Sequence, residues 1–184
     1  MPLQTNKDSA MSFKTRTAAA ALAALASTAF AQAPPAAPNP MDNIPEKMPF
    51  DVPYGAPISL ERADAALAAA VNESRTRGWK LVCTVVDSGG NVVSLKRMDG
   101  AQLASVDIAT HKARASATFR RETKVFEAGI QGGNNYLITL DGVIGSRGGI
   151  PLVEAGRIVG AIGCSGGTGS QDEVASRAGV ATVK

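Results

Sequence analysis

Residues 150–173 read IPLVEAGRIVGAIGCSGGTGSQDE, and this stretch decides the architecture. Two runs of branched apolar residues, 150–154 and 157–164, are separated only by Ala155-Gly156. So short a connection joins antiparallel strands. Pro151 cannot donate to a sheet ladder, which places the first of these strands at an edge. Beyond them, Ser170 and Glu173 have the S-x-x-E spacing of a capping box, so the spacing predicts a final helix opening there. Upstream the same arrangement recurs. The run WKLVCTVV at 79–86 and a second run at 92–97 flank the turn Asp87-Ser-Gly-Gly-Asn91. Two hairpins exclude an all-parallel sheet.

The remaining segments complete the pattern. Ser59 suits the cap of a helix starting at Leu60, and Leu60, Ala63, Leu67, Ala70 and Val71 recur at helical spacing. Arg75 and Arg77 suit its last turn, and Gly78 the residue beyond it. A second helix over 103–119 carries a face of small residues, among them Val106, Ala109, Ala113 and Ala117, that allows close packing on a sheet. A short third helix is expected over 123–128 and a strand over 136–140, followed by a Gly-rich loop over 141–149. The order α-β-β-α-α-β-β-β-α predicts an α/β protein whose five-stranded antiparallel sheet packs against helices.

The opening stretch also contains Gly163-Cys-Ser165-Gly-Gly167, a match to the G-x-S-x-G elbow of serine hydrolases. His111 is the chain's single histidine, and it precedes Ser165. The α/β-hydrolase order is serine, acid, histidine, on a larger and mostly parallel sheet. Gly160 and Gly163 serve close approach to the strand instead, and Gly166, Gly167 and Gly169 the turn that follows. A phosphate loop is equally ill matched. The G-K-[ST] ending is missing, and Asp172 and Glu173 in the first helical turn repel anions.

The N-terminal part carries other information. Lys14 and Arg16, the apolar run 18–25 and the A-x-A signal Ala29-Phe30-Ala31 stand in the order of a secretory signal peptide. The leader is expected over 1–31, its start at Met1 or Met11. The Pro/Ala-rich segment 32–57 reads as a linker in which Met41–Ile44 or Met48–Phe50 can dock, and the folded domain runs over 58–184. The expected location is the periplasm or the exterior, with no membrane-spanning segment left after cleavage, because the apolar run is too short. The net charge is +3, of which the leader carries +2. With cations interspersed among carboxylates and 4% aromatic residues, a nucleic-acid partner is excluded. Export permits a disulfide between Cys83 and Cys164, but both lie in apolar strand-like runs and read more readily as small hydrophobes. No zinc-type ligand spacing is present.

The second helix holds the candidate chemistry. At about 3.6 residues per turn, Asp107, His111, Arg114 and Thr118 share one side. An imidazole with an acid one turn earlier can keep a nitrogen free as an axial ligand to haem iron. Lys112, Arg114, Arg120 and Arg121 are then candidates for the haem propionates. The plainer alternative is a solvated helix face. No two carboxylates are forced together, so no acid–base pair is defined and enzymic activity stays open.

Three blocks, VVDSGGNVVSLKRMDGA, DIATHKARASATFRRETKVFE and GGIPLVEAGRIVGAIGCSGGTGSQDEVA, resemble the GlcG/HbpS-type haem-binding family, related to the C-terminal domain of PduO proteins. The resemblance covers about 58–184. It implies an α/β/α sandwich around an antiparallel sheet, an oligomeric assembly, and haem binding or an association with haem degradation. Lys112 and the glycines of GGIP and GAIGCSGG match the family pattern, whereas His111 departs from it. The expectation is an exported haem-binding protein that sequesters, carries or senses haem as a homo-oligomer. The alternatives are an enzyme acting on a small molecule, haem breakdown included, and a non-catalytic oligomeric accessory protein.

Overall fold

The Ser59 hydroxyl accepts the Arg62 amide and opens the first helix, α1, Leu60–Thr76. Its end follows the reading of Gly78. At φ +71° this glycine lets its amide reach Arg75 O, and the Trp79 amide reaches Ser74 O. The last carbonyls are thereby satisfied in a Schellman turn. The structure, a computed structural model, describes residues 44–183. The leader expected over 1–31 and the first part of the linker lie outside the described residues.

Strands β1 (Val82–Asp87) and β2 (Val92–Arg97) form the first hairpin, and β3 (Gly149–Glu154) and β4 (Arg157–Ser165) the second. The two pair through β1 and β4, giving the antiparallel order β2-β1-β4-β3. Pro151 therefore does lie on an edge strand. Ala155 and Gly156, at φ +46° and +73°, turn the second hairpin with the mirror-image geometry that matches strand twist.

The sheet has four strands and not five. The run expected as a strand over 136–140 is a 3₁₀ turn, Asn135–Thr139, after helix α3 (Lys124–Gln131). The Thr139 hydroxyl donates to Tyr136 O at 2.7 Å, and Ile138 remains 69% exposed. A short apolar run reads alike as strand or turn, and here no free sheet edge takes it in.

Alternation across the central strands sorts the core into two layers. Cys83, Val85, Ile162 and Cys164 pack with Ala63, Ala66, Leu67 and Ala70 of α1 and Ala175 of the last helix, α4 (Gly169–Val180). On the other face, Val82, Val86 and Ala161 meet Ala109, Ala113 and Ala117 of α2 (Ser105–Thr118). The result is a three-layer α/β/α sandwich. Helix α2 can sit so close because β4 offers no side chain at Gly163. A Cβ there would stand 2.3 Å from Ala109 O.

Two further readings are corrected. The final helix is capped by Thr168 with Gln171, not by Ser170 with Glu173. Thr168 is extended and accepts the Gln171 amide, while Ser170 already lies within the helix. Cys83 and Cys164 are joined by a disulfide. They are direct cross-strand partners, 4.2 Å apart at Cα, on the face toward α1 and α4. Burial in an apolar strand thus brought the thiols together instead of keeping them inert.

The end of the linker is part of this body. Tyr54 bridges Ile158 in parallel, where β4 extends past the end of β1. The Gly55 amide donates to Ile158 O and the Ile158 amide to Pro53 O, both at 2.8 Å.

Candidate functional site

Helix α2 ends on a residue that would ordinarily be glycine. Arg120 has φ +54° in the position beyond the cap, and the Arg120 and Arg121 amides donate to Ala117 O and Ser116 O. A side chain in this left-handed conformation costs roughly 1–2 kcal/mol. The linker strap compensates. The Tyr54 hydroxyl donates to Ala117 O and Thr118 O, and Arg120 lies over the Tyr54 ring and donates to Val52 O. The Arg121 guanidinium stacks 3.4 Å from the Phe50 ring centroid. Burial, with the adjacent Arg120 charge, lowers the pKa of Arg121, and Tyr136 opposes them.

The five residues singled out from the sequence fall in three places. His111 and Arg114 line an open groove of about 570 Å³ with Thr118, Phe119, Asp141 and Gly142. Both side chains face solvent. Arg114 Nε donates to Gly90 O at 3.2 Å, which orients its outer nitrogens, and it forms no ion pair among the described residues. Arg120 and Arg121 line a second hollow with Phe50, Pro151 and Val180.

Lys112 belongs to neither. It is 1% exposed, and its ammonium donates to Asp172 Oδ2 at 2.8 Å and to Cys164 O at 3.2 Å. Asp172 also accepts the Gly167 amide at 3.0 Å. Burial pushes the Asp172 carboxyl above the ordinary range, against the pull of Lys112. The pair ties α2, on one face of the sheet, to α4 on the other. One sequence signal pointed this way. Lys112 sits among the small buried residues Ala109, Ala113, Ser116 of α2, a face on which a solvated lysine does not belong.

Ser165 is no nucleophile. It is 3% exposed, and its hydroxyl bonds to that of Ser105 at 3.3 Å. His111 lies on the exposed side of α2, away from it. Among the described residues no cluster of three or more His, Cys, Asp or Glu could hold a metal ion, and no helix is long and apolar enough to cross a membrane.

Residues that sequence reasoning missed complete the groove. Phe119 closes one end of it, and Asp141 comes from the Gly-rich loop that the 3₁₀ turn delivers. Spacing along α2 carries no information on Asp141, which arrives from a distant loop, whereas Phe119 directly follows the helix as its cap.

The fold is an α/β/α sandwich on a β2-β1-β4-β3 antiparallel sheet, and a side groove brings an imidazole, a guanidinium and an aromatic ring together. The family described as "Haem degrading protein HbpS-like" matches residues 58–181, and the chain belongs to it. Protein GlcG of Escherichia coli K12 is 36% identical over 108 residues, spanning 59% of this chain and 81% of that one. The crystal structure of a double mutant of Streptomyces reticuli HbpS superposes with a TM-score of 0.66 at 29% identity, covering 84% of this chain and 99% of that one. A PduOC:haem complex, at 24% identity and a TM-score of 0.64 over 70% and 96% of the two chains, shares the fold.

Proposed function

We propose that this chain is an exported haem-binding protein that sequesters, carries or senses haem. The observation that carries the proposal is the groove along α2. His111 offers an imidazole on a solvent-facing helix side, Arg114 stands one turn on with its outer nitrogens free, and Phe119 presents an apolar ring. This donor set fits haem: an iron ligand, a partner for a propionate and a surface for a porphyrin. Membership of a family described by haem degradation supports the reading.

His111 would hold the iron, and Arg114 would fix the orientation by pairing with a propionate. Haem, when bound, supplies a redox-active iron centre. Asp141, at the loop side of the groove, would repel a propionate and so favours one orientation over its reverse. Lys112 would act from behind this face, holding α2 in place. Arg120 and Arg121, tied to the strap, stand at the separate hollow and would not enter the groove itself. The Cys83–Cys164 bridge supports export, since disulfides persist in oxidising compartments. Leu103 and Ile138, 77% and 69% exposed, support self-association, which light scattering measures.

Hemin titration of the purified protein, followed by the Soret band, tests the proposal. The expected result is a shifted band with one equivalent, weakened at least about tenfold in His111→Ala. A spectrum unchanged from free hemin refutes haem binding. A His111→Ala titration identical to wild type refutes the groove.

A further inference from the structure

A different cavity, at the end of α1 and the β1–β2 hairpin, carries an excess of positive charge. Its volume is about 600 Å³, within the usual range for small-molecule sites. Arg75 enters from the last turn of α1, Lys80 from the connection to β1, and Lys96 and Arg97 from the end of β2, over a floor of Trp79 and Met98. Asp99 supplies the only carboxylate of the lining. Lys96 opposes Cys83 in the hairpin register, so it projects toward the α1 face, while Arg97 opposes Val82 on the α2 face and borders the cavity from the end of the strand.

Several other cations of the domain are paired with carboxylates, although Arg114, Arg121 and Arg157 are not among them. Arg77 pairs with Glu73, Arg147 with Glu127, and Arg177 with Glu122 and Glu173. Among the described residues, Arg75, Lys80, Lys96 and Arg97 form no ion pair. Four cations gathered at one hollow, all of them exposed, raise the local positive potential and attract an anion. The floor selects further. Trp79 is half-buried and held by Arg77, 5.1 Å from its ring centroid, and it offers an apolar surface that a bare inorganic ion does not use.

We infer that this pocket binds a small organic dicarboxylate, its two carboxylates on the cations and its carbon chain on Trp79 and Met98. The site is separate from the haem groove and does not depend on it. Trp79 is the chain's single tryptophan, so its fluorescence reports on this pocket. Succinate is the probe, titrated into the full chain against sodium chloride at matched ionic strength, with acetate and inorganic phosphate in parallel. The expected result is a saturable change with succinate, at a Kd below about 1 mM, and markedly weaker binding of the other two. Lys96→Glu is expected to weaken it at least about tenfold with an unaltered far-UV spectrum, and His111→Ala to leave it unchanged. No response beyond that of chloride overturns the inference. So does equal binding of acetate or phosphate, or indifference to Lys96→Glu. Hemin binding that is lost in Lys96→Glu and kept in His111→Ala makes the pocket a haem site, and overturns both this inference and the assignment of the α2 groove.

Discussion

Replacing Lys112 by Met tests what joins the two helical layers. The Lys112 and Asp172 side chains are 1% and 3% exposed and 2.8 Å apart. Methionine keeps the stem's volume and removes the charge, leaving Asp172 buried with the Gly167 amide. Removing one partner of a buried pair costs about 3–5 kcal/mol. That is a large share of the roughly 5–15 kcal/mol that holds a domain of this size. The sign of the pH dependence follows from the carboxyl. Burial already raises the Asp172 pKa above 3.8, Lys112 is the main group opposing the rise, and its loss raises the pKa further. A carboxyl with a raised folded pKa binds its proton more tightly when folded. Its contribution is therefore present below 3.8 and lost as pH climbs through the folded value. Urea unfolding followed by circular dichroism, with the disulfide intact, should show a small deficit for Lys112→Met near about pH 3 that widens toward neutrality. Lys112→Met with Asp172→Leu should regain most of the loss, because two apolar groups replace the pair. A neutral-pH cost under about 1 kcal/mol, or a deficit that does not change with pH, would refute the reasoning.

Three more outcomes are expected. Reducing Cys83–Cys164, or replacing both cysteines by Ala, should lower stability by about 4 kcal/mol, since the bond closes a loop spanning 81 residues; unaltered urea midpoints with and without reductant would contradict this. Gly163→Ala should cost at least about 1–3 kcal/mol, because its Cβ would stand 2.3 Å from Ala109 O and 2.5 Å from the Ala113 amide nitrogen. Gly78→Ala, where nothing lies within 4 Å of the added Cβ, should show only the strain of its +71° φ, measured in the same urea assay.

Much of this protein is local, and local features are legible in a sequence. The Ala155-Gly156 turn, the Ser59 cap, Gly78 beyond α1 and the small-residue face of α2 each depend on residues a few positions apart, and each appears as read. Pro151 names its own edge because a missing donor excludes a central ladder. Contacts between distant segments leave no such trace. The register of β1 against β4 alone sets Cys83 opposite Cys164, and a register one residue away would have put them on opposite faces. Packing against Gly163 and Gly149, whose added Cβ would stand 2.3 Å from Lys112 O, brought α2 close enough for Lys112 to reach Asp172, 60 positions away. Folding likewise divided the basic residues of α2 and its end among a groove, a hollow and the core, and collected Arg75, Lys80, Lys96 and Arg97 from three elements at one cavity. The chain's periodicities and turn residues set its elements; which charges would meet, and which would be left facing solvent, was decided only when the layers packed.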